Sequence, residues 1–414
     1  MATPNAHRTP DQAPARTNNE DGFAAFRTGF PALTTQTYFS VCDKMILHDR
    51  VRAGVDQFLD HLALASANRV GHETRVAGAR EKFARLVNAP ASAIAAARNV
   101  SDGVNSVAWA LPMEEGDNVI VTAEAEHPNN IYPWLRQQRR GIEVRVVEPN
   151  QDGSLNVGRM IEAIDSRTKA MTCATVTFAP GHRADTRRLG EACRKNDVFF
   201  LVDGVQSAGI LRHDLADEPI DGFATSTSKG LLGLYGFGFL YVSENWVDRM
   251  VPAYLSRPAV AMETDDHSAM GDRDYNLQPD SRRFEVGSYN LAGAYAADAS
   301  LSLLLELGPQ AIEDRVLRLS TRLNTGFADV DMAPAVPAEG PGQSHIVTVG
   351  KLDAGGHGFS TDPKIEKISA HLTEARVTHT IRRGQLRFAI HAFNNEDDVD
   401  NAISAVADGL AKVG

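Results

Sequence analysis

Two short stretches carry residue types from which chemistry could be built. Residues 199–210 read FFLVDGVQSAGI, an apolar run that ends on a carboxylate, Asp203. Residues 223–233 read FATSTSKGLLG and set Lys229 among small hydroxyl residues and glycines. An acid at the end of a hydrophobic strand can cap the next helix, or it can hold a protonated ring nitrogen. A lysine by itself is ordinarily a solvated charge. As a set the residues point to one ligand. Ser226 and Ser228 can bond phosphate oxygens, and the Lys229 amine can reach an aldehyde. Gly230, Gly233, Gly236 and Gly238 permit close approach of backbone. A lysine that forms a Schiff base, with an aspartate on a pyridinium nitrogen, is the combination that pyridoxal phosphate uses. The interval from Asp203 to Lys229 leaves room for one helix and one strand.

Such groups need a scaffold, and the chain supplies apolar runs alternating with amphipathic stretches. Strands are expected at 118–122, 143–147, 170–177, 198–202 and 236–242, and helices at 156–164 and 186–196. Short, nearly continuous apolar strands between helices predict an α/β fold with a mostly parallel sheet covered on both faces. Ligands gather at the carboxyl ends of the strands in such sheets. Residues 256–283 turn polar and crowded with Asp and Arg. That is too long for an ordinary connection, so a functional or interface loop is expected there. Helical patterns follow at 292–307 and 312–327, with a Gly/Pro-rich break at 337–342. The expected organisation is a disordered tail over 1–22, a large domain over 23–290 and a smaller α+β domain over 291–414. The N-terminal segment of the large domain is expected to be able to pack on the small one.

Bulk properties narrow the function classes. The 414 residues carry a formal charge of −11, which argues against nucleic-acid or membrane-surface binding, since both favour basic faces. No apolar run approaches the roughly 18 residues a membrane span needs. Cys42, Cys173 and Cys193 are isolated thiols with neither disulfide nor metal-ligand spacing, so no metal is expected and a reducing cytoplasm is. The opening 22 residues are rich in Pro, Ala, Asn and Thr and lack the apolar core of a signal peptide.

Over residues 30–411 the chain resembles the class V aminotransferases of fold type I. That group includes cysteine desulfurases, selenocysteine lyases and isopenicillin N epimerase-like enzymes. VDGVQSAG is similar to the family's V-D-x-x-Q-x-x-G, which implies that Asp203 holds the pyridine nitrogen and Gln206 approaches the ring hydroxyl. TSKGLLGLYGFGFLYV resembles the motif of the Schiff-base lysine, implying Lys229, with Ser226 and Ser228 near the phosphate. RNVSDGVN resembles the phosphate loop before a helix, with Ser101 as the contact and Val100 where a Thr is common. Backbone N–H groups at a helix start suit an anion. EHPNNIYPW resembles the E-H-x-x-N segment, making His127 the base stacked on the ring. FEVGSYN resembles F-E-x-G-T-x-N and implies that the Ser288 hydroxyl reaches the phosphate bound by a partner subunit, hence a homodimer with shared active sites. LRFAIHAFNNEDDVD resembles the C-terminal R-x-S-x-H-x-Y/F-N motif, which gives Arg387 the substrate α-carboxylate. A planar, permanently charged fork suits that task. His391 and Asn394 are expected to shape their domain.

The resemblance implies a seven-stranded, mostly parallel sheet in the large domain, and it carries departures that bear on the reaction. TVTFAPGHRAD sets Thr177 and Phe178 where many relatives have Asn, and resembles the F-x-x-G-[FHY]-R-x-D of epimerase-like and lyase-like members. More of the ring-hydroxyl contact then falls to Gln206. His182 and Arg183 become near-site candidates, with an Arg183–Asp185 structural ion pair as the alternative. YFSVCDKM stands where relatives carry a substrate-facing Asn-Ala-Ala segment, so Cys42 and Asp43 are expected to line the pocket. Sulfur transfer to protein needs a mobile cysteine nucleophile in the C-terminal half. No cysteine follows residue 193, which disfavours a persulfide-forming desulfurase. The expected activity is an aminotransferase acting at Cα of a small amino acid. The alternatives are a C–S or other β-eliminating lyase, an amino-acid epimerase, and a catalytically silent binding protein on the same fold.

Overall fold

The computed structural model describes residues 20–262 and 274–412. Seven strands form the central sheet: β1 Ile94–Ala97, β2 Asn118–Val121, β3 Glu143–Val146, β4 Thr168–Ala174, β5 Phe199–Asp203, β6 Gly222–Ser226 and β7 Gly238–Val242. Their order is β1-β7-β6-β5-β4-β2-β3. From β6 through β3 the pairing is parallel, and β7 runs antiparallel to both of its neighbours. Strands β5, β6 and β7 are buried along their whole length, which is why their sequences run apolar without a polar face. Alternate residues serve opposite cores. Phe199 and Leu201 join the cluster made with Val104, Val107 and Trp134, whereas Phe200 and Val202 join the cluster that continues into the C-terminal part.

The expected strands are all present, with ends shifted by a few residues. The structure adds β1 (IAAA) and β6 (GFATS), whose small residues gave no strand signal. The interval from Asp203 to Lys229 therefore holds one strand but no helix, since residues 205–210 are turns. The first helices of the chain are α1 Glu20–Thr28, α2 Asp49–Ala63, α3 Arg69–Leu86, α4 Val100–Ala110, α5 Pro128–Gln137, α6 Val157–Glu162 and α7 Thr186–Lys195. After a single turn at Glu244–Val247, four longer ones follow among the described residues: α8 Leu291–Leu307, α9 Pro309–Asp329, α10 Pro363–Glu374 and α11 Glu396–Ala411. Helix α1 begins at Glu20, inside the span expected to be tail, and Glu20 accepts a hydrogen bond from Arg315 of α9 at 2.5 Å. Residues 1–19 lie outside the described residues, as does the middle of the expected 256–283 loop. Its described flanks meet in a short antiparallel pair, Val260–Ala261 with Asn276–Leu277.

The C-terminal part builds an antiparallel sheet from β8 Ile346–Val349, β9 Thr380–Arg382 and β10 Gln385–Ala389, in the order β8-β10-β9. The N-terminal segment docks on it. Thr37–Tyr38 pairs in parallel with Val377–Thr378, and the Ala389 N–H donates to the Phe39 carbonyl at 2.8 Å. This docking carries residues 40–45 to the turn after β6, where the Met45 N–H donates to the Ser228 carbonyl at 3.1 Å.

Candidate active site

The carboxyl ends of β4, β5 and β6 align, with Ala174 paired to Asp203 and Asp203 to Ala224. A cavity of about 470 Å³ opens at that edge. Asp203 lines it, 4% exposed. Its Oδ1 accepts the Val205 N–H at 2.9 Å, and Oδ2 has no hydrogen bond among the described residues. Burial pushes this carboxyl up to about 6, against the Val205 bond and the Lys229 charge. Lys229 lines the same cavity from the turn after β6, and its amine has no hydrogen-bond partner among the described residues. Burial moves that amine below the ordinary lysine range, and Asp203 opposes the shift. Gln206 donates from Nε2 to the Cys42 carbonyl at 3.3 Å, while its buried Oε1 has no partner among the described residues.

His127 caps α5. Its Nδ1 accepts the Asn129 N–H at 3.2 Å, which leaves the proton on Nε2. Burial, followed by the charges of Lys229, His357 and Arg382, lowers its proton affinity, so the ring is neutral at pH 7. It meets the Phe178 ring edge-on at 5.9 Å. At the other end of the cavity stands the first turn of α4, with Val100 and Ser101 on the wall. Asn99 caps that helix through Asp102, and the Val100 N–H donates to Ser226 Oγ at 2.8 Å. Ser228 completes this end. Close packing here depends on Gly238, where a Cβ would lie 2.3 Å from the Thr225 carbonyl oxygen.

Arg387 is fully buried behind the cavity wall. Its Nε donates to Thr380 Oγ1 at 3.0 Å and Nη1 to the Phe178 carbonyl at 2.6 Å. Cys42 lies beside this guanidinium, and its neighbour Asp43 lines the cavity while pairing with Arg382 at 2.6 Å. Four expected site residues, Cys42, Arg387, Arg183 and Ser288, are not among those lining the cavity. Arg183 pairs with Glu313 of α9 at 2.8 Å and takes no part in the cavity lining. Asp185 is not its partner but the cap of α7, accepting the Arg188 N–H. Ser288, at φ +61°, borders a second cavity of about 370 Å³ that shares Asn99 and Gly236 with the first. His391 and Asn394 sit in the interior, bonded to the Gly230 and Tyr38 carbonyls. Sequence reasoning passed over Glu126, Asn99 and Tyr235 as site residues, though all three line the main cavity. Glu126 stood next to His127 in a motif already singled out, but its burial is a tertiary property.

Among the described residues no group of His, Cys, Asp and Glu could hold a metal, and no helix is long and apolar enough to cross a membrane. The sequence matches the family described as Aminotransferase class-V over residues 49–401. It is 31% identical over 253 residues, 61% of each chain, to a probable cysteine desulfurase of Methanothermobacter thermautotrophicus. It is 26% identical over 386 residues to the uncharacterized aminotransferase YcbU of Bacillus subtilis, covering 92% of this chain and 96% of that one. Among solved structures, the fold superposes on the cystine C–S lyase C-DES in complex with cysteine persulfide. The TM-score is 0.79 at 22% identity, covering 92% of this chain and 99% of that one. An apo cysteine desulfurase from Thermococcus onnurineus NA1 gives 0.79 at 20% identity, covering 94% and 98%.

Proposed function

The chain belongs to the aminotransferase class-V family and is a pyridoxal-phosphate-dependent enzyme; from that premise we propose that it acts at the Cα of a small amino acid as an aminotransferase. The observation that carries this reading is the convergence of Lys229, Asp203 and the first turn of α4 on one cavity. The cofactor fits the residues present. The orphaned Gln206 Oε1 can accept from a ring hydroxyl, and the unpartnered Asp203 Oδ2 from a ring N–H. Ser101, Ser226, Ser228 and the Val100 N–H suit a phosphate. A volume of about 470 Å³ is of the size that holds a small cofactor with its substrate.

When bound, pyridoxal phosphate supplies an aldehyde that condenses with amines and a protonated ring that takes up the electrons left at Cα. Asp203 keeps the proton on the ring nitrogen. His127, neutral and fixed by its cap to α5, would flank the ring. Lys229 would hold the aldehyde and move the proton at Cα. Its burial makes the neutral amine available below the ordinary lysine range. Arg387, with its orientation set by Thr380 and the Phe178 carbonyl, takes the substrate α-carboxylate, with Cys42 and Asp43 nearby. The same reading makes the protein a cytoplasmic homodimer with shared active sites, Ser288 serving the phosphate held by a partner subunit. Its domains divide near residue 290.

A second reading is a C–S or other β-eliminating lyase, and one observation favours it over desulfuration through an enzyme persulfide. All three thiols are buried, so none is an accessible nucleophile, and β-elimination needs none. Racemisation by an epimerase would likewise use Lys229 as the proton carrier. The test is to load the protein with pyridoxal phosphate and screen amino acids with a keto-acid acceptor. Transamination yields a new amino acid and a keto acid. Pyruvate with ammonia or sulfide, without amino transfer, overturns the first reading in favour of the lyase.

A further inference from the structure

Lys229, Asp203, Gln206 and the serines of the phosphate end are committed to the cofactor, so few groups of the cavity remain to meet a substrate side chain. Asp43, His127, Asn129, Phe178 and Tyr235 are the chief ones. Glu126 is spent within the wall, its Oε1 on the Ala174 N–H at 2.6 Å and its Oε2 on Asn130 Nδ2 at 2.9 Å. His127 is neutral. That leaves Asp43 as the one charged side chain, among the described residues lining the cavity, to face the substrate. Its Oδ1 accepts Arg382 Nη2 at 2.6 Å, and Oδ2 has no hydrogen bond among the described residues. Arg382 Nη1 donates to the Ile381 carbonyl at 2.8 Å. The two partners are not equivalent. The Arg382 side chain is 8% exposed and off the cavity lining, whereas that of Asp43 is 40% exposed and on it. The ion pair thus turns its negative end to the cavity. The turn that carries Asp43 is anchored too, by Tyr38 Oη on the Lys44 carbonyl at 2.9 Å and by the Met45 N–H on the Ser228 carbonyl, which limits how far the carboxylate can move.

We propose that Asp43 is a specificity-determining residue that admits amino acids with a neutral or cationic side chain and turns away those with a second carboxylate. The inference rests on the function proposed above and narrows its substrate class. With the α-carboxylate on Arg387 and the α-amine at Lys229, a side-chain carboxylate would share the remaining wall with a carboxylate already in place. Like charges brought together without a cation between them repel, and such a repulsive element selects between substrates of the same shape. Arg382 does not relieve the repulsion, because its guanidinium lies behind Asp43 and off the lining. An uncharged side chain meets no such penalty, and an ammonium or amide N–H can bond the open Oδ2.

The experiment titrates the loaded enzyme with amino acids and follows the absorbance of bound pyridoxal phosphate. Asparagine against aspartate, and glutamine against glutamate, keep the shape and change the charge. The wild type is expected to bind each amide about tenfold or more tighter than its acid, a preference moderated by the part-exposure of Asp43. Raising the ionic strength from about 50 mM to about 500 mM should narrow it. Asp43→Asn should erase or reverse the preference, since Arg382 is then left without its counter-charge. Asp43→Asn with Arg382→Gln removes both charges, keeps the wall polar, and should bring each amide and its acid within about threefold. A wild type that binds the acids as tightly as the amides, or that binds neither while answering other amino acids, overturns the inference. So does a wild-type preference retained in whichever variant holds the cofactor, since Asp43 would then only brace Arg382. A wild-type protein that takes up no pyridoxal phosphate, or whose spectrum answers no amino acid, overturns instead the reading of function beneath it.

Discussion

The Lys229 amine and the Asp203 carboxyl share a cavity in which burial disfavours the charged form of each, while the charge of each supports the other's. This coupling gives a signed expectation. Asp203 raises the proton affinity of Lys229, so Asp203→Ala should let the amine titrate at lower pH, read as faster acylation of Lys229 in the apoenzyme at pH 7. The same variant should lose turnover by about 100-fold or more, the usual cost of deleting a preorganised electrostatic group. Turnover within about threefold of wild type would reduce Asp203 to a turn residue holding the Val205 N–H. Lys229→Ala should abolish covalent attachment. Borohydride reduction and peptide mapping should mark Lys229 in the wild type, and a mark on any other lysine would dismantle the site. Arg387→Lys should raise the dissociation constant for amino acids about tenfold or more and leave cofactor affinity nearly unchanged. Lysine keeps the charge but loses the planar fork whose Nε and Nη1 bond Thr380 and the Phe178 carbonyl and whose parallel N–H groups suit a carboxylate. Spectral titration with unchanged amino-acid affinity would remove Arg387 from the site. At this scale residue type and local motif were informative for Lys229, Asp203, His127 and Gln206, which do meet in one cavity. They misled for Arg183, whose partner Glu313 lies far along the chain in α9, and nothing local to TFAPGHRAD announces that pairing.

Strands and helices were legible where hydrophobic periodicity was strong and illegible where neighbours impose the structure. VFFLV declares β5 by itself, because both cores need an apolar face from it. GFATS becomes β6 only because it is clamped between β5 and β7, with alanine and glycine allowing α4 to pack close. A Cβ on Gly103 of α4 would lie 2.9 Å from the Ala224 side chain. That clamp has a consequence at the phosphate end. Ser226 closes β6 and receives the Val100 N–H of α4 at 2.8 Å, so strand and helix are tied at the point where a phosphate would sit. Ser226→Ala should leave that N–H unpaired and weaken pyridoxal phosphate about fivefold, the effect of roughly 1 kcal/mol for one hydrogen bond. Pyridoxal without its phosphate should bind the variant and the wild type alike. Equal losses for both ligands would mean that the tie only stabilises the sheet.

Ser288, like Arg183, Cys42 and Arg387, lies off the lining of the main cavity, and it borders two others. Its backbone, at φ +61°, occupies a left-handed conformation that a residue other than glycine adopts at a cost. Tyr235 stands 63% exposed at the rim of the main cavity, and Tyr254 and Tyr275 flank the chain on either side of the 263–273 segment, both exposed. Rings of that size left in water mark a surface that meets another protein. A second copy of this chain is the occupant that the FEVGSYN resemblance implies, and it would set each Ser288 against the other subunit's phosphate end. The protein is therefore expected to sediment as a dimer. Ser288→Ala should loosen pyridoxal phosphate about fivefold, as one hydrogen bond would, without dissociating the subunits. Shortening residues 256–283 should change which amino acids are accepted, because those residues would wall the neighbouring site. Mixing Ser288→Ala subunits with Lys229→Ala subunits separates this from a local effect of the serine. If the sites are shared, each site of a mixed dimer then carries either both defects or neither, and the intact sites should bind the cofactor with wild-type affinity. A monomer with full activity and wild-type cofactor affinity would show instead that each site is complete within one chain.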